Sequence, residues 1–334
     1  MAGIFIAVDA MGGDYAPKEI IRGALEALTD ERVNILLVGR EDVIKVELSA
    51  NQYDAERVKI VDASEVIEND EQPALAIRKK KDSSIAKGII LLKEEKAQAF
   101  VSAGATGALL TGATLSLGRI KGVMRPALGT LLPNEKGFSF LIDCGANADV
   151  KSNYLLQFAK MGSIYMENIM KINKPRVGLI NIGAEPEKGN TVTKEAYSLL
   201  QSADINFIGN VEARDVPSGA ADVIVCDGFT GNVLLKYTEG FAKVMMGMIK
   251  KELMSSMASK IGAMLAKGSF NNIKKRFDYG EVGGAPFLGL KALIVKAHGS
   301  SDAKAIRSAI TRCTEFVEND IVEKILESIG RENS

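Results

Sequence analysis

The chain reads as a doubly wound α/β protein built on a mostly parallel sheet. Two observations predict this. Short β-rich runs alternate with helical stretches along almost all of the 334 residues, and five of those runs end in Gly-rich loops that open helices. A third is composition: 46% hydrophobic and 25% charged residues describe a globular chain that can bury a large core, not a disordered one. No low-complexity linker and no solenoid-period repeat divides the chain, so residues 1–334 are expected to form a single α/β domain.

Residues 4–8 make the first strand, which ends at Asp9 and a Met-Gly-Gly-Asp turn, and Pro17 suits the first turn of the helix that follows. The apolar N-terminal run lacks a basic region and meets Asp9 almost at once, so it reads as a buried strand and not as a signal peptide. Strands are expected next at 33–38 and 58–61. Pro73 opens a polar helix bearing Arg78, Lys79, Lys80 and Lys81, and 85–92 is an amphipathic helix leading into a strand at 99–101. Later strands are expected at 139–142, 176–180, 205–208, 223–225 and 292–295. Pro126 and Pro133 suggest an irregular crossover between the two halves.

One segment breaks the alternation. From 239 to about 277 there is no proline, and Phe241, Val244, Met245 and Met248 begin an apolar pattern at helical steps. Half of the 12 methionines fall between Met245 and Met264, and between Leu253 and Phe277 every charge is basic: Lys260, Lys267, Lys274, Lys275 and Arg276. Such a stretch fits a core or dimer-interface helix pair. It equally fits a basic amphipathic element on a membrane surface or against an acidic partner.

Lys plus Arg and Asp plus Glu both total 42, and the chain has no Trp, so neither a global field nor a stacking platform points to nucleic acid. Three scattered cysteines make neither a disulfide framework nor a zinc site and fit a reducing cytosol. No run approaches the ~18 to 20 apolar residues of a membrane span. The expectation is a cytoplasmic protein whose membrane contact is made from the surface.

Chemistry is expected in the loops. In AFVSAGATGALL a strand runs into Ser102, Gly104, Thr106 and Gly107 and then into a helix, an arrangement that offers backbone N–H groups and hydroxyls to an anion. Four more loops repeat the design: 143–147, 181–190, 227–232 and 298–302. Each follows a strand and precedes a helix, so all five are expected along one carboxyl edge of the sheet, with Lys188 as the cation of an anion-binding cleft. None carries a dinucleotide fingerprint or a phosphate-loop lysine. A magnesium site from Asp9, Asp143 and Asp227 and a Ser102–His298–Asp227 triad can be drawn on paper, without a nucleophile-elbow motif to support the triad. Cys144 and Cys226 at strand ends read as packing more than as acyl acceptors. The only histidine, His298, is either a general base or a cap for the helix beginning near Ser301.

Taken together, the stretches DAMGGDYAP, VSAGATGALL, DCGANAD, the 183–190 loop, CDGFTGN and KAHGSSD resemble the bacterial PlsX family of phosphate acyltransferases, from near residue 5 to about 315. The resemblance implies a three-layer α/β/α sandwich of the phosphate acetyltransferase and isocitrate dehydrogenase type. It implies transfer of a long-chain acyl group from acyl carrier protein to inorganic phosphate for phospholipid synthesis, without cofactor or metal. It also implies a homodimer and a protruding helical tip, here 239–280, that attaches peripherally to the membrane near the enzymes that use the product. Two departures stand out: Ala105 where Asn is usual, and Val282 where Tyr is usual.

On that reading, Lys188, His298, Asn147 and Asp227 are expected to carry catalysis. Ser102, Gly104, Thr106, Gly107, Gly189, Asn190 and Asn232 would bind phosphate and substrate. Leu253, Met257, Ile261, Met264 and Leu265, with Lys260, Lys274 and Lys275, would contact the membrane or a partner. The acidic carrier would dock on the basic tip or on the Arg78 run, for which a plain solvated face is the simpler account. The rivals are a coenzyme A-dependent phosphate acetyl- or butyryltransferase, a metal-dependent decarboxylating dehydrogenase disfavoured by the scarcity of histidine, and a non-catalytic membrane-surface scaffold.

Overall fold

A computed structural model describes residues 3–276 and 283–330. Val282 and residues 277–280 of the expected tip lie outside the described residues, as do the side chains of Lys274 and Lys275. The strands are β1 (Ile4–Asp9), β2 (Val33–Gly39), β3 (Val58–Asp62), β4 (Ala99–Ser102), β5 (Ala127–Asn134), β6 (Gly137–Ile142), β7 (Val177–Asn181), β8 (Phe207–Glu212), β9 (Val223–Val225), β10 (Ala285–Leu288) and β11 (Leu293–Lys296). Among the described residues they form one sheet in the order β3-β2-β1-β4-β11-β10-β5-β6-β9-β7-β8.

The helices are α1 (Lys18–Ala27), α2 (Glu41–Ser49), α3 (Pro73–Lys79), α4 (Ser84–Lys93), α5 (Thr106–Ser116), α6 (Ser152–Asn168), α7 (Thr191–Ser202), α8 (Gly228–Leu253), α9 (Met257–Leu265), α10 (Lys267–Arg276), α11 (Ala303–Glu318) and α12 (Ile321–Gly330). Strand side chains alternate between the two faces. Ile6, Val8, Ile35 and Leu37 pack with Ile20 of α1, Phe158 of α6 and Ile306 of α11. Ala7, Leu36 and Val38 face the other way and pack with Ile85 and Ile89 of α4 and Leu109 of α5. Two cores on opposite faces make the expected three layers. Strands buried on both faces read as unbroken apolar runs, which is why β1, β2 and β4 were legible in the sequence.

The structure corrects the expected crossover. Residues 127–134 are strand β5, which turns through Glu135 and Lys136 into β6, with Asn134 opposite Gly137 and Pro133 opposite Phe138. A two-residue turn makes Asn134 and Gly137 the hydrogen-bonded pair, so Pro133 falls at a non-bonded pair and its lack of an N–H costs the ladder nothing.

This hairpin changes the geometry of the molecule. β1, β2, β3, β4 and β11 run parallel to one another, as do β6, β9, β7 and β8. Between the two sets, β10 is antiparallel to β11 and to β5, and β5 is antiparallel to β6. Three reversals leave the halves pointing in opposite directions. The loops after β1, β4 and β11 therefore leave one edge, and those after β6, β7 and β9 leave the other. The five loops do not share an edge as expected.

The helical segment also starts earlier than expected. α8 begins at Gly228, capped by Asp227, and runs unbroken for 26 residues to Leu253. Only Gly228 and Gly231 of it are buried. Phe229, Val233, Tyr237, Phe241, Val244 and Met248, at three- and four-residue steps, leave an apolar face exposed. Short non-helical turns at 254–256 and at Ala266 set off α9 and α10, and α9 has no buried residue. Among the described residues no helix is long and apolar enough to cross a membrane.

Candidate active site

The ends of β1, β4 and β11 are laid against one another. Asp9 is buried, and its carboxylate accepts from the Met11 N–H at 3.1 Å and from the Ser102 hydroxyl at 2.7 Å. Burial holds this carboxyl above its ordinary value, with hydrogen bonds from Ser84 and Ser102 pulling the other way. The Gly104 N–H donates to Ser102 Oγ at 3.0 Å. Ser102 and the Gly104 amide thus build the loop and have no donor left for a ligand. Gly12 permits the tight approach, since a Cβ there would stand 2.6 Å from the Gly104 nitrogen. The Asp14 N–H closes the third side by donating to the Gly299 carbonyl at 2.8 Å.

The donors left open belong to α5. Its N-cap is Ala105, and no side chain caps its first turn. Thr106, half-buried, and Gly107, exposed, carry N–H groups of that turn, the end where the peptide dipoles are positive. An anion there would be bound by backbone, with the Thr106 hydroxyl beside it.

Next to this loop, Lys296 ends β11. Its ammonium turns inward and donates to the Ala103 carbonyl at 3.1 Å and to the Ala297 carbonyl. Burial brings its pKa down to about 8. His298 follows two residues later. Its Nε2 lies 3.2 Å from Lys236 Nζ and its Nδ1 lies 2.8 Å from Ser300 Oγ. The Ser300 N–H donates to Nδ1 at 3.2 Å and the ammonium at Nε2 offers only hydrogens, so both ring nitrogens face donors. Burial first, and Lys236 second, hold the imidazole below its ordinary value. His298 does not cap α11, because Asp302 does so through a 3.0 Å bond from the Ala305 N–H. Lys236 is also paired with Glu239 at 2.8 Å.

The opposite edge holds a second, mostly structural cluster. The buried Asp143 carboxylate accepts from the N–H groups of Leu128, Ala146 and Asn147 and from the Asn147 amide. The same amide donates to the Pro126 carbonyl, and the Asn147 carbonyl accepts from the Gly228 N–H. Asp227 caps α8 through the Thr230 N–H at 2.8 Å and hydroxyl at 2.7 Å. Asn232, exposed, has its side chain beside Gly145. Cys144 and Cys226 are buried with thiols pushed well up by burial, a poor state for an acyl acceptor. Ser102, His298 and Asp227 each bond elsewhere and form no triad. Asp9, Asp143 and Asp227 are split between the two edges, and no group of three or more potential metal ligands occurs among the described residues.

Lys188 stands apart. Its loop leaves β7, five positions from β11 in the sheet, which is about 24 Å at the usual strand spacing. Its side chain is exposed, Gly189 takes a φ of +97°, and Asn190 caps α7 through the Thr193 N–H at 2.9 Å. At the tip, Leu253 is half-buried and Lys260 exposed, while Met257, Ile261, Met264 and Leu265 are strongly exposed, the last at 85%.

Two residues on this edge went unmarked in the sequence. Lys296 opens the KAHGSSD stretch and could have been noticed there. Lys236 had no local signal, because its place depends on lengths. β10 has four residues, so the sheet is about 13 Å across at its seam. Lys236 is eight residues beyond the start of α8, about 12 Å along the helix. One traverse matches the other.

A family model described as "Fatty acid synthesis protein" matches residues 4–324. The phosphate acyltransferase of Clostridium tetani is 50% identical over 325 residues, covering 97% of each chain. That of Clostridium novyi is 51% identical over 321 residues, 96% of this chain and 97% of that one. The chain belongs to this phosphate acyltransferase family. It is accordingly an enzyme of the acyltransferase class in fatty-acid and phospholipid synthesis. Among solved structures, a phosphotransacetylase from Streptococcus pyogenes superposes with a TM-score of 0.63 over 96% of this chain and 94% of its own, at 16% identity. The EutD phosphotransacetylase from Staphylococcus aureus gives 0.59 over 94% of both chains at 15% identity. At such identities the likeness establishes the fold alone.

Proposed function

We propose that the protein transfers a long-chain acyl group from the thioester of acyl carrier protein to inorganic phosphate, releasing acyl phosphate for phosphatidic acid synthesis. The observation that carries this reading is the uncapped N-terminus of α5, laid beside the loop of the only histidine in a member of this family. A phosphate oxygen adds to the thioester carbonyl carbon, the C–S bond breaks, and the proton of HPO₄²⁻ ends on the departing sulfur. Phosphate is already an oxyanion nucleophile at neutral pH, so the protein's work is to position it, steady the tetrahedral oxyanion and move one proton. The α5 amides hold the anion, and His298, kept neutral, takes and returns the proton.

On this reading Asp143, Asn147 and Asp227 fix the start of α8, and Asn232, Lys188, Gly189 and Asn190 serve the acyl-donor side. The exposed apolar face of α8 is of the kind a second copy covers, which supports a homodimer. Met257, Met264, Leu265 and Lys260 suit a membrane surface, where membrane enzymes would take up the product, in a cytoplasmic, peripherally attached protein. ³¹P NMR of the reaction tests the chemistry: a new acyl phosphate signal must grow as inorganic phosphate and thioester decline together. Thioester loss without it would reduce the activity to hydrolysis.

A further inference from the structure

The α5 amides supply partial charges, about half a unit in total, whereas phosphate at neutral pH carries between one and two. A full cation is needed nearby. Lys296 is committed to the carbonyls of Ala103 and Ala297. Lys188 hangs from a strand five positions away on the other edge. The ammonium that stands at the His298 ring, with 51% of its side chain exposed, is Lys236.

We propose that Lys236 is the phosphate-binding cation of this site, carried by α8 from the opposite edge of the sheet to the anion held between the α5 N-terminus and His298. The inference rests on the acyl phosphate reading and names the residue that gives that reaction its phosphate specificity.

Lys236 from α8 and Lys296 from β11 disfavour a charged His298, while Glu239 from α8 and Asp14 from the loop after β1 favour it. Removing Lys236 takes away the ammonium that stands at the ring and weakens the attraction for phosphate. Glu239, 2.8 Å from Lys236, holds the ammonium in place until the dianion arrives. An anion bound by Lys236 would lie beside the imidazole of His298.

The test uses the full-length protein and its single histidine, which gives one imidazole signal in the NMR spectrum. His298 is titrated in wild type, Lys236→Gln, Lys236→Arg and Lys188→Gln, each with and without inorganic phosphate, and KM is measured separately for phosphate and for the acyl donor. Phosphate should raise the His298 midpoint in wild type and in Lys236→Arg, but not in Lys236→Gln. Lys236→Gln should raise the KM for phosphate about tenfold or more, the worth of a charge-assisted hydrogen bond. The KM for the acyl donor should stay within about twofold, and Lys188→Gln should leave the phosphate KM within the same margin. An unchanged phosphate KM in Lys236→Gln, or a rise confined to the acyl donor, overturns the assignment. So does a phosphate effect in Lys188→Gln with none at Lys236. Wild type that shows the Lys236-dependent phosphate response of His298 without phosphate-dependent turnover would support this cation and overturn the acyl phosphate reading instead.

Discussion

The ammonium of Lys236 lies 3.2 Å from Nε2 of His298, although α8 starts at one edge of the sheet and the His298 loop leaves the other. The contact exists because β10 is short and α8 is long. It turns two separate loop clusters into one site, anchored on one side by the Asp143 and Asp227 hydrogen bonds and on the other by Asp9 and Ser102.

The anchor on α8 predicts a contrast between two glycines of one helix. A Cβ at Gly231 would collide with the Asp143 carbonyl oxygen, whereas one at Gly240 meets nothing. Gly231→Ala should lower the unfolding free energy by about 1–3 kcal/mol or more. Gly240→Ala should raise it by about 0.5–1 kcal/mol, because alanine is the better residue in a helix interior. Urea denaturation compares them; equal effects would mean that α8 is not seated on the loop after β6 as described.

Asp9 predicts a pH dependence. Its folded pKa is raised by burial above the ordinary value, so the folded protein holds this proton more tightly than the unfolded chain. The resulting stability is fully present below the unfolded value, about 3.9, and is lost as pH rises through the folded value. Stability of wild type relative to Asp9→Asn, which cannot ionise, should therefore fall over that interval. A difference that stays flat, or grows with pH, would contradict the burial of an ionising Asp9.

Ala105 predicts a conflict between stability and binding. An aspartate at this N-cap would accept from the open N–H groups of α5 and bring a negative charge to the anion site. Ala105→Asp should stabilise the fold by up to about 1 kcal/mol and raise the KM for phosphate at least about tenfold. An unchanged KM would show that phosphate binds elsewhere.

The tip predicts lipid dependence. Met264 and Leu265 are 76% and 85% exposed, so Met264→Glu with Leu265→Glu should leave the thermal midpoint in place. The double variant, and Leu253→Glu, should lose flotation with anionic liposomes. If both float like wild type, the apolar tip serves a protein contact and not a membrane.

The fold was legible where strands are buried on both faces, as in β2 and β4, whose apolar runs have no competing explanation. β5 and β10 were not, because Pro126 stands just before β5, and Pro133 and Pro286 lie within β5 and β10, where they imitate loop signals. Those two strands decide the direction of half the sheet, so missing them led to the expectation of a single loop edge. The nest at Thr106 and Gly107 and the loop of His298 announce themselves locally through glycine and hydroxyl residues. Lys236 does not, since a lysine on an apolar helix becomes a site residue only when sheet width and helix rise are known together.

The central claim is tested most directly by phosphate-dependent thiol release from long-chain acyl–acyl carrier protein, with acyl-coenzyme A of the same chain length beside it. The account predicts release from the carrier thioester that requires inorganic phosphate, needs no added metal, and falls sharply in Lys236→Gln. Release from coenzyme A alone, or release from the carrier that ignores phosphate, would contradict it.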